Sequence, residues 1–183
     1  VGGIKHNAVP ANAEVVFATD KFDSLKEGLD ALIADLKEEY RVEDPGLTIN
    51  ITETTADQVY TKDLSDSVID MIMALPDGIQ YMSKDIEGLV QTSLNNSVIL
   101  ENDGKLVLTT SVRSASSSSL REILNRVTII ANRMGAVARE YSSYPAWQYE
   151  AVSPLRDIAE KIYVDMYGKE PHITSIHAGL ECG

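Results

Sequence analysis

The sequence predicts an α+β domain in which an antiparallel sheet carries helices on one face. Three observations point there. Apolar residues recur at helical spacing in separate stretches near 25–40, 64–75, 120–131 and 155–166. Between and around them lie short runs that alternate apolar and polar residues, the pattern of half-buried strands. One pair of those runs, 90–100 and 105–114, is joined by Glu101-Asn102-Asp103-Gly104, a turn with glycine where a positive φ is wanted.

The elements follow in order. Val1 to Pro10 is a polar, glycine-containing segment in which Pro10 holds Val9 extended. Residues 13–18 form a short apolar strand. Asp23 and Ser24 offer N-caps to a helix that ends near Arg41, with Leu25, Leu29, Leu32, Ile33, Leu36 and Tyr40 in one stripe. After the turn Asp44-Pro45-Gly46, residues 47–55 alternate, with Leu47, Ile49 and Ile51 on one face. A second helix spans 62–75, with Leu64, Val68, Met71, Ile72 and Leu75 in register, and Leu75-Pro76-Asp77-Gly78 ends it. The hairpin comes next. The serine run 116–119 then serves as turn and N-cap for a third helix through Leu120, Ile123, Leu124, Val127 and Ala131, closed by Gly135. Residues 136–144 read as a strand, broken by Pro145-Ala146-Trp147. Ser153-Pro154 supplies an N-cap and a proline at the first helical position, and Gly168 closes that fourth helix. A last strand begins near His172 and runs into a polar turn holding His177, Gly179, Glu181, Cys182 and Gly183. This order suggests a ferredoxin-like arrangement with additions.

Composition narrows the function classes. A chain of 183 residues is enough for one medium domain, or one domain and part of another. The net charge of −12, spread along the chain, argues against nucleic acid and anionic membrane surfaces as partners. Cys182 is the one cysteine, so no internal disulfide is available and a reducing compartment is expected. No apolar run approaches the roughly 20 residues of a membrane span. No secretory signal opens the chain, and the absence of an initiator methionine is what an excised segment would show.

No metal site can be assembled from spacing, because His6, His172 and His177 do not pair with one another or with Cys182 at ligand intervals. There is no glycine-rich phosphate loop and no Gly-x-Ser-x-Gly elbow. Cys182 with His177 is conceivable as a nucleophile pair, although a lone cysteine is more often inert. Three features remain. Asn7, in Lys5-His6-Asn7-Ala8-Val9-Pro10, can present an amide donor, or can belong to an ordinary surface turn. Arg113, which ends an otherwise apolar strand, can bind a carboxylate with two parallel bonds, or can be an edge charge that discourages aggregation. Gly179 and Gly183 allow close backbone approach at the terminal turn, where Glu181 can accept from an amine; the plain alternative is a tight turn with a solvated Glu.

These features occur together in one family. Gly2-Gly3-Ile4-Lys5-His6-Asn7-Ala8-Val9-Pro10, Met73-Ala74-Leu75-Pro76-Asp77-Gly78 and Val90-Gln91-Thr92-Ser93-Leu94-Asn95 are three of the carrying stretches. Val112-Arg113-Ser114, Tyr144-Pro145-Ala146-Trp147 and Ile176-His177-Ala178-Gly179-Leu180-Glu181-Cys182-Gly183 complete the set. In order and spacing the chain resembles the Xaa-His dipeptidases, or aminoacyl-histidine dipeptidases, of the M20 group of di-zinc peptidases. The resemblance implies a zinc-bearing catalytic domain, with two ions, interrupted by a lid that closes over substrate and carries a homodimer contact. Residues 1–144 would be that lid, incomplete at its start, and 145–183 the beginning of the resumed catalytic domain. The implied parent is a cytoplasmic enzyme hydrolysing dipeptides such as β-Ala-His, and the segment alone is expected to be inactive. Asn7 would hold the scissile carbonyl or its oxyanion, Arg113 the substrate's C-terminal carboxylate, and the Gly179 backbone would contact substrate. Glu181 and Cys182 match motif positions without a firm role, and His6 and Glu181 are further candidates for substrate contact, although His6 does not stand in for the His that the family carries at the start of its lid. The family's metal ligands, a His-x-Asp motif, a Glu-Glu pair and a late His, are not matched at their motif positions in this chain. A different class, a stand-alone ferredoxin-like binding or dimerisation module, is the alternative.

Overall fold

A computed structural model describes residues 1–179. Among these described residues are four helices and three strands: α1 (Phe22–Glu39), α2 (Lys62–Ala74), β1 (Gly78–Met82), β2 (Val90–Asn102), β3 (Lys105–Ser114), α3 (Ser117–Arg133) and α4 (Pro154–Tyr167). The strands make one antiparallel sheet in the order β1-β2-β3. The chain divides into two compact units, one of residues 15–62 and one of residues 1–14 with 63 onward.

The hairpin is built as its turn chemistry requires. Asn102 pairs with Lys105, and the two residues between, Asp103 and Gly104, have φ of 50° and 69°. Two successive positive φ angles give the turn whose twist matches that of the strands, and Asp-Gly tolerates them. A bulge interrupts the β2–β3 ladder between Asn96 and Val98. It is held from the side by the Leu75-Pro76-Asp77-Gly78 turn. The Asn96 amide donates to the Asp77 carboxylate at 2.8 Å, and the Asn96 side chain donates to the Pro76 carbonyl at 3.0 Å while accepting from Thr110. The motif that ends α2 therefore also supplies the partners that a bulged strand loses.

The first residues extend the same edge of β2. Gly2 and Ile99 exchange both backbone hydrogen bonds, at 2.8 and 2.9 Å, and Gly3 donates to Asn12. Gly3 has φ +73°, and a Cβ there would run into the Ser97 carbonyl, so glycine is needed on both counts.

The core is small. Leu94 is 2% exposed and Ile123 is fully buried, with Leu75, Val98 and Ala131 close behind. α3 packs against β3. Tyr81, which opposes Thr92 on the sheet, bonds Glu122 of α3, so α3 covers the pleat face that carries Thr92 and Leu94. Thr92 and Ser97, both buried, bond Ser114 and the Thr109 carbonyl. α3 starts on Ser116, whose hydroxyl accepts from the Ser119 amide, and α4 starts on Ser153 with Pro154 inside and Gly168 at φ 64° beyond its end. Those caps are the ones the sequence predicts.

The α+β class and the central hairpin match expectation, but the sheet is smaller. The stretches 13–18, 47–55, 136–144 and the described part of the terminal stretch are not strands; Ala13 makes a single bridge to Gly2. Leu47, Ile49 and Ile51 are still half-buried between exposed neighbours. Alternation states which side of a segment is sheltered, not that a partner strand lies alongside. β1 is a strand where the sequence reading has only a turn; its Ile79/Tyr81 alternation is short, and its ladder has two register shifts. α1 begins after Lys21 with no side-chain cap, rather than at Asp23.

Within residues 15–62, α1 turns its Leu25, Leu29, Ile33 and Leu36 into partial shelter. Its end is continued by hydrogen bonds from Asp44 to Tyr40 and from Leu47 to Asp44. Ile123→Ala should cost about 2–5 kcal/mol, the usual range for truncating a fully buried Ile. A urea unfolding curve with lowered midpoint and unchanged slope is the expected result.

Candidate functional site

The pleat face opposite α3 carries the polar residues. Ser93 and Asn95 alternate with buried Thr92 and Leu94 along β2, and their direct partners on β3 are Arg113 and Ser111. Side chains directly opposite in an antiparallel pair lie on the same face, close enough to interact. Arg113 is half-buried there, and none of the ion pairs between described residues uses it.

Two distant segments come to this face. The Asn95 side chain donates to the Ala8 carbonyl at 2.9 Å, which ties the 5–8 turn to the sheet. The Ser93 hydroxyl and His177 Nε2 lie 2.8 Å apart, which ties the terminal stretch to the same strand. Arg113 is thus joined by the loop bearing His6 and Asn7 and by the segment bearing Gly179. His6 and Asn7 are exposed. Gly179 lies against Tyr144: a Cβ at Gly179 would come within 2.5 Å of the Tyr144 hydroxyl oxygen. Glu181 and Cys182 lie outside the described residues.

Ser93, Asn95 and His177 are the residues that single-residue reasoning passes over as site members. The first two sit within a quoted motif, but a Ser and an Asn on a strand have no chemical signature alone. His177 also lies in a quoted motif, where the sequence offers it a role through a conceivable pair with Cys182. What identifies all three is the register, which sets Ser93 opposite Arg113.

The imidazole of His177 is held below its ordinary proton affinity. Partial burial is the main cause, the Arg113 charge adds to it, and the Val90 carbonyl works the other way. The ring is therefore neutral near pH 7 and accepts or donates one bond to Ser93. Among the described residues no three His, Cys, Asp or Glu side chains gather into a metal site. The face offers a cation, an imidazole, a hydroxyl and an amide. That donor set suits an anionic or amide-bearing ligand and does not fit a zinc ion, so any zinc would need ligands from elsewhere.

In sequence and fold the chain is similar, over its whole length, to a segment of dipeptidases. It is 31% identical over 185 aligned positions to the cytosol non-specific dipeptidase of Escherichia coli strain K12, covering 100% of this chain and 38% of that protein. It superposes on the crystal structure of aminoacylhistidine dipeptidase from Vibrio alginolyticus with a TM-score of 0.86 and 32% identity, again covering 100% of this chain and 38% of that one. The chain thus spans less than half the length of the relatives it matches. No family model matches it. No helix of the described residues is long and apolar enough to cross a membrane.

A pH dependence follows. The folded ring has a lower proton affinity than the unfolded one, whose pKa is about 6.5. The unfolded chain then takes up the proton first as pH falls, so the docking of His177 contributes fully above that pH and weakens below it. A histidine-ring NMR titration should place His177 below the ordinary range, and Arg113→Ala should bring it part of the way back.

Proposed function

We propose that this chain is the substrate-closing part of a dipeptidase that hydrolyses short peptides such as β-Ala-His. The observation that carries the reading is Arg113: a half-buried guanidinium with no carboxylate partner among the described residues, on an open sheet face, in a chain similar throughout to dipeptidases. A guanidinium presents parallel N–H groups to both oxygens of a carboxylate. Anchoring the C-terminal carboxylate selects dipeptides, because a longer peptide has no carboxylate at that distance from the bond to be cut.

On this reading Asn7 donates to the scissile carbonyl as negative charge develops on its oxygen, and the Gly179 backbone lies along the bound peptide. Closure of residues 1–144 over the substrate excludes water and brings Asn7 and Arg113 to bear together. Residues 145–183 continue into the part of the enzyme that performs the cleavage. Support for that continuation is the apolar side of α4, where Leu155 is 70% and Met166 67% exposed, and Trp147 at 60%. Two zinc ions, as the family resemblance implies, would be held by residues outside this chain. The same reading gives a cytoplasmic enzyme with a homodimer contact in residues 1–144.

In the full-length protein, Arg113→Ala should raise KM for dipeptides roughly 10- to 100-fold, the loss expected for a charged hydrogen-bond pair. Zinc content should stay unchanged. A fall in bound zinc with KM unaltered would count against the anchor. Sedimentation of the full-length protein should give twice the chain mass; a monomer at micromolar concentration would remove the dimer from the reading.

A further inference from the structure

Ser93 is the cross-strand neighbour of Arg113, and its hydroxyl holds the His177 ring at 2.8 Å. The imidazole therefore stands at the same step of the ladder as the guanidinium, although the two residues are far apart in sequence. Resting on the dipeptide-binding reading above, we infer that His177 is a second recognition group for the carboxylate anchored by Arg113, taking a proton from solution as that carboxylate binds.

The groups around the ring can be named by element. β3 contributes Arg113, the charged group that acts on it; β2 contributes the Ser93 hydroxyl and the Val90 carbonyl, both neutral. In the free site burial and the Arg113 charge both disfavour the imidazolium. A carboxylate seated on the guanidinium offsets that charge and adds an anion beside the ring, and both changes favour protonation. The Ser93 contact survives, because a hydroxyl that donates to a neutral ring nitrogen can rotate and accept from a protonated one. The site then offers the carboxylate two cations in place of one. Binding and protonation are reciprocal, so the carboxylate is held more tightly as pH falls toward the proton affinity of the free ring. Ser93 touches no substrate here; it is a positioning residue for the imidazole.

The test uses the full-length protein with ¹³C-labelled histidine rings, the His177 signal being assigned by its loss in His177→Gln. If that variant does not fold, the signal displaced in Ser93→Ala assigns it. The probe is Ala-Ala with a reduced, non-hydrolysable peptide bond, compared with the same compound as its C-terminal amide. Saturation with the carboxylate form should raise the proton affinity of His177 about tenfold, one pH unit in its titration midpoint. The amide should leave it where it was. In Ser93→Ala the upward movement should shrink. If the acid form binds and Arg113→Ala abolishes binding, yet the His177 midpoint stays fixed, the inference is overturned while the carboxylate anchor stands. If Arg113→Ala binds the acid form as well as the native protein does, the anchor and the inference fall together.

Discussion

The ladder between β2 and β3 decides which side chains can meet. The Asp103-Gly104 turn starts it with Asn102 opposite Lys105, and from there to Val98 opposite Thr109 the pairing runs in one register. The bulge then shifts it by one residue, so that Asn96 faces Thr110 and Ser93 faces Arg113. Because successive residues on a strand point to opposite faces, a one-residue shift exchanges the two sides. Below the bulge, Thr92 and Leu94 go to α3, and Ser93, Asn95 and Arg113 go to the open face. Above it, Val98 lies on the same side as Ser93 and Asn95 through Thr109, and there it is buried. A site residue on β2 and its partner on β3 are thus matched by a defect in the ladder rather than by their own chemistry.

The defect is stable because its exposed backbone groups have partners. Asn96 is the pivot: its amide, its side-chain NH2 and its side-chain oxygen are all engaged, with Asp77, Pro76 and Thr110. Gly2 takes the next free stretch of the strand at Ile99, and Gly3 fits over Ser97 only because it lacks a side chain. Motifs that look like a helix stop and a flexible start are, in the fold, the buttresses of one strand. Their cost of ordering is offset by satisfying a strand that α3 covers on its other face.

What was legible in the sequence depended on how local its cause is. Helix caps at Ser116 and Ser153 and the hairpin turn at Asp103-Gly104 rest on interactions within a few residues, and they stand where the sequence puts them. The expected strands at 13–18, 47–55 and 136–144 needed a distant backbone partner, which alternation cannot specify. The same limit applies to the site. Arg113 could be singled out because a cation at the end of an apolar strand is conspicuous. Its neighbours Ser93 and His177 could not, since their proximity is created by register and by the return of the chain after α4.

The bulge also has a consequence for how lengths and sequences compare. Deleting Ser97 alone would leave composition, charge and percentage identity nearly untouched. It would make the hairpin a continuous ladder and leave the facing of both halves as it is, because Asn96 already pairs with Thr110 and Val98 with Thr109; what it would remove is the buried Ser97 hydroxyl and its bond to the Thr109 carbonyl. At this position a single-residue gap in an alignment therefore records the presence or absence of the bulge, while the strand pairing and facing on either side of it stay matched.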